Sequence, residues 1–281
     1  MLEHYPTPLT INGVTLDYTK ETFIMGILNV TPDSFSDGGQ FTTIDQAVKQ
    51  AKKMMAEGAK IIDIGGESTR PGHAQISEEE EIARVVPVIK ALCTLPVILS
   101  IDTYKANVAE AAIQAGAHMI NDIWGTKADE NMAHIAAKYQ VPIILMHNRN
   151  HTHYEDFWHD VKADLMQSID IAVNAGVPHH HILVDPGIGF GKTTTQNIQM
   201  MQCLSSLVEM GYPVLLATSR KSMIGNVLAL PTEERLEGTM ATVVYGIQQG
   251  CHMMRLHDIA PMQRAIHMTD VLTGKQVYEE D

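Results

Sequence analysis

Cations are scarce in this chain: its 281 residues carry 20 Lys and Arg against 33 Asp and Glu, a formal net charge of −13. That balance excludes general affinity for nucleic acid or anionic membrane, yet a few placed cations can still hold an anionic small molecule. Cysteine is rare. Cys93, Cys203 and Cys251 sit in or beside apolar runs with no CxxC spacing, which points to reduced thiols in a cytoplasmic protein rather than a disulfide frame. No apolar run approaches the roughly 20 residues that span a bilayer. The opening MLEHYPTPLT lacks a basic stretch leading into an apolar one, so no secretory leader is expected. Aromatics make up 5% against 45% hydrophobic residues, so the core is aliphatic and rich in methionine. No linker or low-complexity tract interrupts the chain, and one domain over 1–281 is expected.

What is present is a series of eight short apolar segments. They are FIMGIL (23–28), KIIDIG (60–65), PVILSI (96–101), HMIND (118–122), PIILMH (142–147), HILVDP (181–186), PVLLAT (213–218) and HMMRLH (252–257). Several are continuous rather than alternating, as in parallel strands buried on both faces. Helical spacing separates them. In 43–59, Ile44, Ala47, Val48, Ala51, Met54 and Met55 fall on one face, Thr43 and Gln46 have capping-box spacing, and Gly58 is a stop. Residues 77–92 repeat the scheme with Ser77 as cap and a kink expected at Pro87, and 232–250 form a third such helix. The pattern predicts an α/β fold, a (β/α)8 TIM barrel over 21–281. The Asn-Gly turn in LTINGVTLD makes residues 1–20 an N-terminal β-hairpin cap. Periodicity alone leaves a doubly wound open sheet as the alternative.

In a barrel the chemistry sits at the C-terminal ends of the strands. Read in order, those ends carry Asn29; Glu67, Thr69 and Arg70; Asp102; Asn121 and Asp122; His147; Asp185; Arg220, Lys221 and Ser222; Arg255 and His257. The opposite turns, GAK, TLP and GYP, are plain. A single polar strand end is often a helix cap; eight in register mark an active site.

The motifs GILNVTPDSFSDGG, GGESTRPG, SID, IND, DPGIGFGKT, SRKSMIG and RLHD, in this order from about residue 23 to 258, resemble the dihydropteroate synthases of the folate pathway. The resemblance implies a transferase that joins 6-hydroxymethyl-7,8-dihydropterin diphosphate to p-aminobenzoate and releases diphosphate. By that resemblance Asp102, Asn121, Asp185 and Lys221 form the pterin pocket; carboxylates and an amide suit the donor-rich edge of a pterin. Thr69, Arg70, Arg255 and His257 would contact the diphosphate, with Asn29 as ligand of a magnesium ion that keeps most of its waters. Phe35, Thr69, Pro71, Phe190, Lys221 and Ser222 would hold the aminobenzoate. The resemblance also implies a homodimer, through outer helices near the chain's end.

A long polar loop follows the first barrel strand. VTPDSFSDGG suits a lid: Gly38 and Gly39 hinge it, Asp37 reaches metal or cation, and Phe35 covers an aromatic ring. Loss of diphosphate from an electron-rich pterin leaves a stabilised cation, so dissociative chemistry with no dedicated base is expected, in a mouth that excludes water. Asn29, Asp37, Arg70, Lys221, Arg255 and His257 are the candidate catalytic set.

Two patterns mislead. DPGIGFGKT lacks the first glycine of a phosphate loop, because Pro186 stands there, and Lys192 and Thr193 read as loop and cap. Gly187 and Gly189 leave room for a ligand to approach closely. The histidines of 147–160 and of HHH (179–181) lack metal-site spacing, and HNRN departs from the family's usual loop after this strand, leaving open what His147 and Arg149 do. Two other readings remain: a folate-dependent methyltransferase domain serving a corrinoid protein, and a non-catalytic pterin-binding module. Neither needs both the lid and the diphosphate grip.

Overall fold

A computed structural model describes residues 6–31, 40–67 and 75–279. A short hairpin, β1 (Leu9–Ile11) and β2 (Val14–Leu16), leads into alternating strands and helices. These are β3 (Phe23–Asn29), α1 (Gln40–Ala56), β4 (Ile61–Gly65), α2 (Glu78–Leu92), β5 (Ile98–Asp102), α3 (Ala106–Ala115), β6 (Met119–Asp122) and α4 (Met132–Tyr139). Next come β7 (Ile143–Met146), α5 (Phe157–Asn174), β8 (Ile182–Asp185), α6 (Thr194–Gln202), α7 (Leu204–Val208) and β9 (Leu215–Leu216). The chain ends with α8 (Ser222–Leu228), α9 (Leu236–Gln248), β10 (Met253–Leu256) and α10 (Ile259–Leu272).

The eight strands from β3 to β10 pair in the order β8-β7-β6-β5-β4-β3-β10-β9, all parallel. The ring closes between β8 and β9 through one bridge, Val184 to Val214, with Val184 N–H donating to Pro213 O at 2.9 Å. This is the (β/α)8 barrel with its hairpin, and the open-sheet alternative falls.

Alternation along each strand divides the buried residues into two cores. Ile62, Ile64, Leu99, Ile101, Ile120, Leu145 and Val184 face outward and pack beneath the helices. Ile61, Ile98, Met119, Ile144, Leu183, Leu215 and Met253 fill the lower barrel with Phe23 and Met25. Each such side chain, fully buried, contributes about 1.5–3 kcal/mol. The hairpin seals that end: Leu9, Ile11 and Leu16 join the inner core. Its turn has Asn12 at φ 49 and Gly13 at φ 73, the left-handed pair of a tight hairpin. Asn12 Nδ2 donates to Val97 O at 3.0 Å, pinning the turn beside the start of β5.

Helix ends follow their sequence signals unevenly. Ser77 Oγ accepts Glu80 N–H at 3.2 Å, and α2 runs from Glu78 to Leu92 with Pro87 inside it. Thr193 and Gln196 cap α6 reciprocally. Gly58, at φ +114, stops α1 as expected, but that helix begins at Gln40, so Thr43 lies inside its first turn and is not its cap. The third expected helix begins at Leu236, after a 3-10 turn at Thr232–Glu234. No helix among the described residues is long and apolar enough to cross a membrane.

Candidate active site at the mouth of the barrel

The same alternation that fills the lower barrel with aliphatics puts polar residues above them. Two residues beyond Ile61 stands Asp63; beyond Ile98 stand Ser100 and Asp102; beyond Met119, Asn121; beyond Leu183, Asp185; beyond Met253, Arg255 and then His257. Register brings them level, with Asp63 opposite Ser100 and Asp102 opposite Asn121.

Arg255 ties this layer together. Its Nε donates to Asp63 Oδ2 at 2.6 Å and its Nη2 to Asp102 Oδ2 at 2.7 Å, while Asn121 Nδ2 adds a bond to Asp63 Oδ2 at 3.0 Å. Burial opposes the arginine's charge, but the two carboxylates more than restore it and hold its pKa above the ordinary value. Burial pushes the Asp102 carboxyl well up despite Arg255. It pushes Asp185 up to about 6, against the bond Asp185 Oδ1 accepts from Gly187 N at 2.7 Å. Asp63 Oδ1, Asp102 Oδ1 and Ser100 Oγ are buried without a hydrogen-bond partner among the described residues. Buried acceptors left in that state are costly unless a donor meets them.

The rim comes from the loops after β8, β9 and β10. Lys221 is the N-cap of α8, with its Nζ 4.4 Å from the centroid of the Phe190 ring, and Ser222 follows it, exposed, as the first helical residue. His257 leaves β10 toward Ser219: its N–H donates to Ser219 Oγ at 3.2 Å, and its Nδ1 lies 2.9 Å from the same hydroxyl. Arg220, at φ +57, clamps Asp258 with Nε and Nη2 at 2.9 and 2.7 Å. That bidentate pair fastens the Lys221 loop to the His257 loop. Asn29 ends β3 with an exposed side chain; a Cβ on neighbouring Gly65 would lie 3.7 Å from Asn29 Oδ1 and 3.6 Å from Asp102 Oδ2. Both oxygens thus lie near the end of β4; the amide oxygen of Asn29 is a hard donor of the kind magnesium takes, while Asp102 Oδ2 already accepts from Arg255 Nη2.

The structure therefore gathers Asp102, Asn121, Asp185 and Arg255 inside the barrel, with Lys221, Phe190, Ser222, His257 and Asn29 around its mouth. Phe35, Asp37, Gly38, Gly39, Thr69, Arg70 and Pro71 lie outside the described residues. Asp122 accepts Trp124 N–H at 2.8 Å and Thr126 N–H at 2.6 Å and so holds a turn. His147 and Arg149 both bond to Asp164 of α5, at 3.1 and 2.6 Å, which anchors the divergent loop to its helix. Gly187 serves a contact within the protein, since a Cβ there would sit 1.9 Å from His147 O. The HHH triplet is a 3-10 turn, and no cluster of metal-ligating side chains occurs among the described residues.

Three participants escaped sequence reasoning. Asp63 was hidden inside KIIDIG, where its parity with Ile61 was the available signal. Lys105 joins Glu67 and Glu81 in a buried bridge at 2.6 and 2.7 Å. Lys192 passes for a loop residue but is buried.

Residues 25–257 match the family described as pterin binding enzymes. A dihydropteroate synthase of Clostridium beijerinckii is 58% identical over 269 residues, covering 95% of this chain and all of its own length. The chain belongs to the dihydropteroate synthase family. A dihydropteroate synthase of Bacillus subtilis is 55% identical and covers 92% of each chain. Among solved structures, the dihydropteroate synthase of Clostridium difficile in the presence of pteroic acid superposes with a TM-score of 0.89 at 50% identity, over 91% of this chain and 98% of that one. The Xanthomonas albilineans dihydropteroate synthase with 4-aminobenzoic acid gives 0.89 at 39% identity, over 96% and 99%. Dihydropteroate synthases are transferases, and this chain is one by family.

Proposed function

We propose that the chain condenses 6-hydroxymethyl-7,8-dihydropterin diphosphate with p-aminobenzoate, giving 7,8-dihydropteroate and diphosphate for folate synthesis. The observation that carries this reading is the buried polar layer around Arg255, directly under the mouth: Asp63 and Asp102 each keep one oxygen unpartnered among the described residues, and the Asn121 amide lies beside them. The amino and ring N–H groups of a pterin edge supply the donors such a layer lacks. Asp185 and Asp102 accept from the ring, Asn121 both accepts and donates, and Lys221 donates to the carbonyl side.

The leaving diphosphate meets positive charge at the rim. Arg255, fixed by two carboxylates just beneath the rim, and His257, oriented by Ser219, supply it, and the family resemblance adds Thr69 and Arg70. Asn29 would hold a magnesium ion, which when bound neutralises charge on the diphosphate. Positive charge placed where negative charge develops lowers the barrier to departure. The cation left on the pterin then captures a neutral aniline, whose proton is lost afterwards, so no base is assigned. Phe190, Lys221 and Ser222 would line the second pocket; the resemblance adds Phe35 and Pro71 to it and gives the segment bearing Asp37 the role of keeping water out.

We place the enzyme in the cytoplasm, working as a homodimer. The exposed apolar side chains Tyr245 of α9 and Met268 and Leu272 of α10 support a dimer through these helices.

The test is a choice of substrate pairs. Given dihydropterin diphosphate with p-aminobenzoate, or methyltetrahydrofolate with a corrinoid protein, the purified chain is expected to turn over only the first pair. Methyl transfer without condensation would replace this reading.

A further inference from the structure

Lys192 has no part in the condensation as described, yet it is only 9% exposed, in the loop between β8 and α6. Its ammonium lies 2.8 Å from His147 Nδ1, 3.0 Å from Gly187 O and 3.1 Å from Phe190 O. An ammonium has three donors and no acceptor. To complete the set, His147 Nδ1 must accept, which puts the imidazole proton on Nε2, facing Asp164 Oδ2 at 3.1 Å. Burial drives His147 down to about 4, so the ring is neutral as this geometry requires. Against the upward push of burial, the bonds from His147 and Arg149 hold Asp164 well below the usual carboxylate range. Burial pushes Lys192 itself down to about 7; Asp185 and Asp164 pull the other way, and Arg149 and Lys221 add to the fall.

The loop is wrapped round this ammonium. Gly187, Gly189 and Gly191 have φ of 68°, 88° and 55°, a conformation that side chains resist. A Cβ at Gly191 would stand 2.7 Å from Arg149 O, so this loop is pressed against the one after β7. Phe190 N–H closes the turn on Gly187 O at 3.1 Å, and Gly189 N–H donates to Asn197 Oδ1 at 2.7 Å. The carbonyls of Gly187 and Phe190 are both drawn to Lys192, and the Phe190 ring emerges under Lys221 Nζ.

We propose that Lys192 is a positioning residue for the second substrate: it fixes the main chain of Phe190 and so the ring that walls the aminobenzoate pocket beside Lys221. The inference rests on the condensation reading. It assigns Lys192 mainly to the second substrate: the carboxylates that read the pterin are bonded by Arg255, Asn121 and Gly187 N–H, and Lys192 reaches Asp185 only through Gly187 and as a nearby charge.

The experiment is steady-state kinetics of Lys192→Met in the full chain, varying each substrate in turn, with pterin affinity measured by calorimetry. Loss of the three donors is expected to raise KM for p-aminobenzoate about tenfold or more and to change kcat by less than about threefold. KM for the pterin diphosphate and the calorimetric pterin affinity are expected to change by less than about threefold. Phe190→Ala is expected to raise the same KM, and the double variant to be no worse than the worse single one, since both act through one ring. Equal rises in both KM values, a fall in kcat alone, an unchanged KM for p-aminobenzoate, or full additivity in the double variant would overturn the inference. If Lys192→Met does not fold, Lys192→Gln, with two donors in the same space, is read by the same criteria. A wild-type chain that performs no condensation would overturn both readings; one that condenses while the variant matches it would overturn this inference alone.

Discussion

Asp185 is 2% exposed at the end of β8, and burial pushes its carboxyl up to about 6. A pterin N–H needs the ionised oxygen as acceptor. The ionised fraction is nearly complete above pH 7 and falls about tenfold for each unit below the pKa. Pterin affinity is therefore expected to weaken about tenfold or more between pH 7.5 and pH 5, because protonation turns one carboxylate oxygen from acceptor to donor and removes the charge. Asp102, which burial also raises, adds to the loss in the same direction. Calorimetric titration checks this: Asp185→Asn should bind weakly at both pH values, with a slope shallower by one proton. An unchanged slope in the variant would assign the titration elsewhere. Asp185 was legible because DPG sets a carboxylate at a strand end before a turn. Asp63 was not, because an acid inside an apolar run looks like an interruption until the strand's parity is known. Lys192 was masked by its likeness to a phosphate-loop lysine, and only the fold shows its ammonium turned inward.

The elements that frame the site are joined by buried ion pairs between neighbouring loops. After β4, Glu67 accepts Ile76 N–H at 3.3 Å and Tyr104 O–H at 3.1 Å, while Lys105 donates to Glu67, Glu81 and Ile76 O at 2.6, 2.7 and 2.8 Å. Both ends of the segment bearing Thr69, Arg70 and Pro71 are thereby fixed to the start of α3. Lys105→Met would leave two buried carboxylates without their cation, a change that destabilises by about 3–5 kcal/mol. Urea unfolding should show that loss as a lower midpoint at unchanged slope. A loss below about 1 kcal/mol would make the bridge a solvated pair of little weight. Helix faces, the caps at Ser77 and Thr193 and the stop at Gly58 were readable, since each depends on residues a few positions apart. The start of α1 was not, because Thr43 has the right spacing for a cap yet the helix extends a turn further. The bridge through Lys105 spans 24 and 38 residues, a separation at which no local pattern exists.

At the scale of the whole molecule, one rule of strand alternation does two things. It packs Ile61, Ile98, Met119, Leu183 and Met253 into a sealed lower core, and it stacks Asp63, Ser100, Asp102, Asn121, Asp185 and Arg255 above them. The eight-strand order was legible because each segment is apolar, short and followed by a polar end. Closure of the ring was not, since β9 is two residues long and joins β8 through a single bridge. A polar layer above a greasy plug, with Lys221 and His257 at its rim, suits the proposed pterin diphosphate. The most direct measurement is diphosphate release from 6-hydroxymethyl-7,8-dihydropterin diphosphate with magnesium, with and without p-aminobenzoate. With both substrates, diphosphate and 7,8-dihydropteroate are expected one for one. Pterin bound at the mouth with neither diphosphate nor dihydropteroate formed would contradict the proposed condensation.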